Sequence, residues 1–240
     1  MPDPGEEIAH YALKTFGQPF RLNAPRFDLS ESDCVVFAER CIAMALASDW
    51  ESYCELCQPL PHKDRKVAFL ERSFFTLADW VPNNAWLLDD ITDKLGVPTQ
   101  QFEHVVRRKA FLRNLRFGED DTQLGRAKAA LKAAKIAAAP REERRLVRYI
   151  APEDIPAALG RLRPGDAILV IRRCQRPGLK AWFDCDHMML VAGRSQPSGE
   201  PVVCHSARPQ VQKTSVTAFL EAYPAVSGFK ILRIRAEMRP

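Results

Sequence analysis

The sequence predicts an α+β fold, with helices in the first part of the chain and antiparallel strands in the last part. Between residues 35 and 46, apolar side chains recur at the spacing of a helix with one buried face. After Pro152 the pattern changes to short apolar runs separated by turn residues, which is typical of strands. The 240 residues are 46% hydrophobic and 27% charged, so we expect a single globular domain over residues 1–240.

Charge and hydropathy exclude some classes of protein and leave others open. The net charge of +5, from 35 basic and 30 acidic residues, is too small to indicate a nucleic-acid partner. No apolar run reaches the roughly 18 residues of a membrane span, and the first residues lack the pattern of a secretory signal. As written, the sequence is that of a soluble protein whose compartment and oligomeric state stay open. Seven cysteines are an odd number, so at least one thiol is unpaired within the chain.

The N-terminal part is predicted to hold two helices joined by an extended segment. Residues 6–16 form an amphipathic helix, which residues 17–19 end because proline disfavours helix in the residue before it. The extended segment then runs to Leu29. Ser30 or Ser32 can cap the next helix, so that Cys34 lies in its first turn.

The middle of the chain, residues 63–138, is predicted to be helical. Breaks are expected near Pro82, residues 96–98 and Gly118, and the alanine-rich stretch 124–139 is expected to be an exposed helix. Four strands follow, and a helix at residues 215–223 precedes the last of them. The predicted strands are residues 167–172, 187–192, 202–206 and 229–234.

Cys34 is the candidate nucleophile. A thiol reacts as the thiolate, and the unpaired N–H groups at a helix N-terminus favour that negative form, so we expect a lowered pKa for Cys34. The same N–H groups can receive the oxyanion that develops when a carbonyl is attacked. Position alone also fits a small buried cysteine with no chemical role, because cysteine is among the most buried residue types.

Two of the five histidines lie on neighbouring predicted strands, His187 at the start of one and His205 at the end of the next. A hairpin that turns near Gln196 places the two residues opposite each other, with Cβ atoms roughly 4.5–5.5 Å apart. One imidazole can then act as a base while the other holds it in the correct tautomer and direction. A slip of one residue in the loop would put the rings on opposite faces of the sheet.

The stretch SDCVVFAE, residues 32–39, resembles the Asp-Cys-x-x-Phe-x-Glu nucleophile helix of an N-acetylmuramoyl-L-alanine amidase-like family, related to the NlpC-type papain-like cell-wall hydrolases. Further stretches resemble this family in the same order along the chain. They are GQPF (17–20), FTLADW (75–80) with Asn83, RYI (148–150), IP (155–156), LRPGDAI (162–168), DHMML (186–190) and CHSA (204–207). The resemblance covers residues 16–234 and depends on the number and order of these short motifs.

The resemblance implies a papain-like (NlpC-type) core, in which the nucleophile helix packs on an antiparallel sheet and residues 63–150 form a mainly helical insertion. It implies that Cys34 is the nucleophile, His187 the general base and then the general acid, and His205 the residue that orients His187. An aromatic face and polar groups suit a sugar-peptide ligand. The candidate substrate-binding residues are Asp33, Asp79, Trp80 and Asn83.

The implied function is cysteine-dependent hydrolysis of an amide bond in peptidoglycan or muropeptides, as an amidase or endopeptidase, through a thioester intermediate. No metal or organic cofactor is needed, and the resemblance suggests action in the periplasm or cell envelope. One residue departs from the pattern. Many NlpC-type enzymes have tyrosine where Phe20 stands, and phenylalanine cannot donate a hydrogen bond to an oxyanion. Either backbone donors suffice here or activity is reduced.

Two other functions fit the same residues. One is a thioester acyltransferase on the same scaffold, and the other is a non-catalytic binding protein that retains the cleft. Cys54 and Cys57 have the spacing of a redox or zinc pair, and His62 could join them, but no second pair follows, so packing is the favoured interpretation. The basic stretch 106–148 could meet a polyanion, although few aromatic residues interrupt it and a solvated helical face is favoured.

Overall fold

The computed structural model describes residues 3–115, 122–174 and 182–238. Within these ranges the chain forms α-helices and two antiparallel sheets, as the sequence predicts at the level of fold class. The helices are α1 (Pro4–Lys14), α2 (Cys34–Leu46), α3 (Trp50–Cys57), α4 (Val81–Asn83), α5 (Arg108–Asn114), α6 (Gln123–Ala138), α7 (Ile155–Ala158) and α8 (Val216–Ala222). The strands are β1 (Leu88–Asp90), β2 (Gln100–Val106), β3 (Glu143–Tyr149), β4 (Ala167–Cys174), β5 (Trp182–Arg194), β6 (Pro201–Ser206), β7 (Val211–Ser215) and β8 (Val226–Ile234).

The main sheet has six strands in the order β1-β8-β4-β5-β6-β7, and every pair is antiparallel. Its central strands are buried on both faces at their middles, which explains the continuous apolar runs at residues 167–171 of β4 and 188–192 of β5. One face packs against α1 and α2 through residues that include Leu169, Met188 and Leu190. The opposite face packs against α7 and α8 through Val170 and Met189, among others.

The helix that carries Cys34 begins where the sequence predicts, but a different residue caps it. Asp33 is the N-cap: its Oδ1 accepts the backbone N–H of Val35 at 3.0 Å and that of Val36 at 2.8 Å. The prediction of Ser30 or Ser32 as the cap is therefore wrong. A carboxylate next to the first helical residue is as good an acceptor for these N–H groups, and its negative charge also interacts favourably with the helix dipole.

The prediction of a helical middle region is wrong at β1 and β2. Strand β2 buries Phe102, His104 and Val106 on one side, a period of two that is obscured in the sequence because a buried position is polar, His104, and an outward one is apolar, Val105. It pairs with β3 in a separate two-stranded sheet, whereas β1 pairs with β8 at the edge of the main sheet. Helix α6 confirms the predicted alanine-rich helix, and the predicted break at Gly118 lies outside the described residues. The division into one domain with an insertion at residues 63–150 stays a prediction.

The C-terminal predictions are confirmed, since β4, β5, β6, α8 and β8 occur in the predicted order. Strand β5 begins five residues earlier than predicted, and β7, with its polar sequence VQKTS, is missed. None of the helices in the described part of the chain is long and apolar enough to cross a membrane.

Candidate active site

Cys34 is the first residue of α2 and lines a cleft of about 840 Å³. Helix α2 is almost entirely buried, so its axis is fixed by packing on the sheet and its N-terminus points the half-buried thiol at the cleft. The backbone N–H of Met188, on β5, faces the Cys34 sulfur. The residue before Met188 is His187, which lines the same cleft. The structure therefore brings the predicted nucleophile and the predicted base to one site.

The loop before α2 is tied to the strand that carries His205. Ser206, the last residue of β6, donates from Oγ to the backbone oxygen of Ser32 at 2.7 Å, and both residues are buried. The Ser32 Oγ in turn donates to Oε1 of Gln18 at 2.8 Å. Because buried hydrogen bonds of this kind fix relative position, the N-terminus of α2 is held against the end of β6.

The two histidines contact each other, although the predicted register is wrong. Strands β5 and β6 pair Leu190 with Cys204, so the residue opposite His205 is not His187 but lies two positions further along β5. A shift of two keeps both side chains on one face of the sheet, and the rings meet as diagonal neighbours. His187 Nε2 lies 2.8 Å from His205 Nδ1, and the ring planes are almost perpendicular.

This hydrogen bond decides which nitrogen of His187 is available. With Nε2 bonded to His205, Nδ1 is the ring nitrogen left for the cleft. Within the described ranges, the Cys34 sulfur and the His187 ring are not hydrogen-bonded to each other. In enzymes without bound substrate, the distance between nucleophile and base is often too long for a hydrogen bond. The rear nitrogen of His205, Nε2, is buried and has no partner among the described residues.

The protonation states differ from the sequence-based expectation. The pKa of the Cys34 thiol is raised to about 11, because burial and the negative charge of Asp33 both disfavour the thiolate. The N–H groups of Met188, Cys34 and Val35 lower the pKa, but less than burial raises it. The expected lowering of the pKa by the helix N-terminus is therefore wrong for the unliganded protein.

Both histidines are neutral at pH 7 for the same reason. Burial first, and then the positive charges of His205 and Arg172, lower the pKa of His187 to about 3. Burial lowers the pKa of His205 to about 4. Near neutral pH the resting site therefore pairs a thiol with a neutral imidazole rather than a thiolate with an imidazolium.

Of the four candidate substrate-binding residues, two line the Cys34 cleft. Asp33 does so while capping α2, and buried Trp80 does so while donating from Nε1 to Glu39 at 2.8 Å. Asp79 and Asn83 line an adjoining hollow of about 340 Å³. Asp79 accepts two hydrogen bonds from Arg108, at 2.6 and 3.0 Å, and Asn83 donates to the Ser73 hydroxyl at 2.8 Å.

The cleft also holds charged residues that have no role in the sequence-based account, among them Glu39, Arg26 and Arg72. Glu39 is fully buried, and its Oε2 accepts from Arg26 Nε at 3.0 Å. Glu39 lies within the motif that resembles the family. A charged residue on the buried side of a helix is rare, and this could have singled out Glu39 in the sequence as a residue of the site. Arg72 lines the cleft from the segment before the turn that carries Trp80, and nothing in the surrounding sequence distinguishes it from other arginines.

The pair Cys54 and Cys57 stands apart from the cleft on α3, with Cys57 buried and Cys54 half-buried. His62 is engaged by a backbone oxygen, that of Gln58, 2.7 Å from its Nδ1. In residues 3–115, 122–174 and 182–238, no group of three or more His, Cys, Asp or Glu side chains is placed to hold a metal ion.

Several arginines of the basic stretch 106–148 are paired with acids. Arg107 and Arg144 both contact Glu142, Arg108 contacts Glu143, and Arg148 contacts Asp93. These are ion pairs of a partly exposed protein surface.

The six-stranded antiparallel sheet with helices on both of its faces defines the fold class of this protein, which is α+β. The chain belongs to the AmiA-like family, described as N-acetylmuramoyl-L-alanine amidase-like, whose model matches residues 9–222. Among curated proteins, none matches the sequence.

Solved structures share the fold at low sequence identity. A Legionella pneumophila protein of the DUF1460 family is 18% identical, with a TM-score of 0.79 over 97% of this chain and 89% of that one. An N-acetylmuramoyl-L-alanine amidase from Bacteroides uniformis is 18% identical, with a TM-score of 0.68 over 97% of this chain and 99% of that one. A candidate xylanase from Bacteroides fragilis is 19% identical, with a TM-score of 0.63 over 93% and 99%.

Proposed function

We propose that the protein is a cysteine hydrolase that cleaves an amide bond in peptidoglycan or muropeptides, with Cys34 as nucleophile, His187 as base and His205 as the orienting residue. One observation carries the proposal. A thiol at a helix N-terminus lines the same cleft as a histidine whose far nitrogen is hydrogen-bonded to a second histidine. This is the order nucleophile, base, orienting group that acyl transfer needs. The family supplies the substrate class, since its name refers to the amide between muramic acid and L-alanine.

The reaction starts from the neutral pair. As the sulfur of Cys34 attacks the carbonyl carbon, its proton passes to Nδ1 of His187, because the thiolate is unfavourable before attack. The backbone N–H of Cys34, which the cap does not use, is free to donate to the developing oxyanion. Collapse of the tetrahedral intermediate expels the amine, which takes the proton from His187 and leaves a thioester on Cys34.

Hydrolysis of the thioester repeats the proton transfers with water. Water attacks the thioester carbon while its proton passes to Nδ1 of His187, and the acid leaves as the sulfur regains that proton. The net reaction adds one water to one amide. His205 supports each step by accepting the Nε2–H of His187, which leaves the Nδ1 lone pair free and stabilises the imidazolium.

The packing supports a papain-like core for this chain. Helix α2 lies against the antiparallel strands β5 and β6, and the histidine strand is the neighbour of the nucleophile. In this proposal residues 1–240 are one hydrolase domain, residues 63–150 are its insertion, and the substrate places its action in the cell envelope. Asp33 and Trp80 border the scissile bond, and Asp79 and Asn83 border a more distant part of the ligand.

Defined muropeptides of increasing stem length test the proposal. The wild-type protein should release new amines, and mass spectrometry of the products identifies the bond that is cut. Cys34→Ala should lower the rate to background, at least a thousandfold, because no other cysteine of the described residues lines the cleft and could form the thioester. Cys54→Ala is the matched control, since it removes a thiol outside the cleft and should keep activity.

The products also separate the competing functions. Activity that survives in Cys34→Ala contradicts a cysteine mechanism. New amides formed with an added amine, in place of the free acid, indicate an acyltransferase. Tight binding of every muropeptide without any cleavage by the wild-type protein indicates a binding protein and refutes hydrolysis.

A further inference from the structure

The arginines that line the Cys34 cleft differ in what their guanidinium groups contact. Arg26 is ion-paired with Glu39, and Arg208 lies over the ring of Phe20, 5.8 Å from its centroid. Arg72 is different. Among the residues that the structure describes, its guanidinium has neither a hydrogen bond nor an ion pair.

Arg72 stands at the junction of two cavities. Its side chain lines both the Cys34 cleft and the adjoining hollow. Its backbone is fixed, since its N–H donates to the oxygen of Phe69 at 3.3 Å and the residue forms a β-bridge with His62. A ligand that extends from the cleft into the hollow has to pass this half-buried cation.

The acids of the cleft are already engaged by other donors. Both oxygens of Glu39 accept hydrogen bonds, one from Trp80 and one from Arg26. Asp33 accepts backbone N–H groups at both of its oxygens. Burial, and then the charge of Arg26, lower the pKa of Arg72, and the charges of Glu39 and Asp33 raise it by less, so these two engaged acids offset only part of the cost of burying the cation.

In the hollow on the other side of Arg72, the acids are likewise engaged by other cations. Its three acids are ion-paired, Glu71 with Lys135 and the other two, Asp79 and Glu143, with Arg108. Lys63 and Arg145 line the hollow in addition and have no hydrogen-bonded acid in the described part of the chain. The path past Arg72 therefore has more cations than acids.

We propose that Arg72 is a carboxylate-binding residue that fixes a carboxylate of the peptide part of the substrate beside the Cys34 cleft. The inference rests on the proposed function and adds to it a specificity for free acids. A guanidinium offers two parallel N–H donors that match a carboxylate, and the partner that the protein lacks is then supplied by the ligand. Such a contact acts away from the reacting atoms and positions the amide over the sulfur.

Two matched substrates test the assignment: an N-acetylmuramoyl tetrapeptide with free carboxylates, and the same compound with every carboxylate converted to a carboxamide. The wild-type protein should cleave the free acid with the higher kcat/KM. Arg72→Gln should lower kcat/KM for the free acid by about 10- to 100-fold and for the amide by less than about threefold, because only the former loses a charged partner. Arg72→Lys should restore part of the loss.

Arg148→Gln is the control, an exposed ion-paired arginine on β3 that should leave both rates unchanged. Thermal unfolding of each variant checks that it is folded. Equal losses on the two substrates, or a wild-type preference for the amide, overturn the assignment while the hydrolase stands.

A second measurement separates failure of this assignment from failure of the proposed function. Calorimetric binding of both tetrapeptides is compared between Cys34→Ala and Cys34→Ala with Arg72→Gln. If the wild-type protein cleaves neither compound but binding of the free acid weakens tenfold on loss of Arg72, hydrolysis is wrong and the carboxylate site stands. If binding is unaffected by Arg72, the site is wrong.

Discussion

At the scale of single residues, the chemistry depends on the protonation states of Cys34 and His187 before substrate binds. The cleft keeps Cys34 as a thiol and His187 as a neutral base, because both charged forms would be poorly solvated there. Activation then takes place within the reaction and not in the resting protein. A substrate that displaces water and brings a carbonyl to the sulfur makes the proton transfer part of the attack.

Alkylation of Cys34 by iodoacetamide measures this resting state. Since the reactive form is the thiolate and the pKa is about 11, the rate should rise about tenfold per pH unit from pH 6 to 9, without a plateau near neutrality. Mass spectrometry of the peptide with Cys34 follows the reaction, and Cys54 in the same protein is the internal control. A rate that is already maximal at pH 7 would show a thiolate–imidazolium pair and contradict the neutral resting pair.

A slow reaction with iodoacetamide is therefore no sign of a binding protein here. The same low rate is expected of an enzyme whose base acts only during attack. Turnover of muropeptides, and not thiol reactivity, distinguishes the two functions.

At the scale of elements, α2 is the helix on which the site depends, and Asp33 is the residue that begins it. Asp33→Ala removes the acceptor for Val35, Val36 and Asn23 at a position that is almost fully buried. We expect the free energy of unfolding to fall by about 2 kcal/mol or more, at the upper end for a helix cap, because buried N–H groups lose their partner. Urea unfolding followed by circular dichroism measures the change.

Asp49→Ala is the matched control for this substitution. Asp49 caps α3 at an exposed site, where water replaces the lost acceptor, so the expected loss is about 0.5–1 kcal/mol. If the two substitutions cost the same, burial of the Asp33 cap contributes nothing beyond an ordinary helix end.

Some helices and strands of this protein can be predicted from their own residues, and others depend on distant partners. Helix α2 and strands β4, β5, β6 and β8 were predictable because their apolar patterns are long and bounded by turn residues. Strand β2 was not, since half of its residues are charged or polar and its partner lies about forty residues away. The sequence predicted that both histidines lie on one face of the sheet, but not which residues of β5 and β6 pair. The pairing is shifted by two residues from that of a simple hairpin, and a shift of two leaves the face unchanged.

The cap and the cleft charges show the limit of sequence reasoning. Ser32 and Asp33 are both good caps, and only the fold shows that the Ser32 hydroxyl is used elsewhere, hydrogen-bonded to the Ser206 hydroxyl at 3.1 Å. Arg72 could not be singled out, because the absence of a partner is a property of the folded chain.

At the scale of the whole molecule, the site lies where two hydrophobic cores meet. Cys34 belongs to the core between the sheet and α1 and α2, whereas His187 and His205 contact Phe219 of α8 on the other face. The geometry of the pair therefore depends on both layers. Loss of packing on either face is expected to separate the nucleophile from its base.

The buried histidines also link the site to the stability of the fold, and this leads to a prediction about pH. In the unfolded chain both histidines titrate near pH 6.5, whereas in the folded protein the pKa values of His187 and His205 are about 3 and 4. Below pH 6.5 the unfolded state thus binds more protons than the folded state. The contribution of the histidines to the free energy of unfolding is therefore fully present above pH 6.5 and is lost as the pH falls towards 4. Each histidine should contribute a slope of about 1.4 kcal/mol per pH unit across this range.

Urea unfolding of wild type and His205→Asn between pH 7 and 5 isolates this contribution, since other titrating groups cancel in the difference. The variant's slope should be smaller by up to about 1.4 kcal/mol per pH unit, approached at the acid end of this range, because one buried histidine is gone. His10→Asn, which changes an exposed histidine on α1 outside the cleft, is the control for the substitution itself. Parallel slopes for wild type and His205→Asn would mean that His205 takes up its proton as readily in the folded protein as in the unfolded chain, and the lowered pKa of the histidine that orients His187 would have to be abandoned.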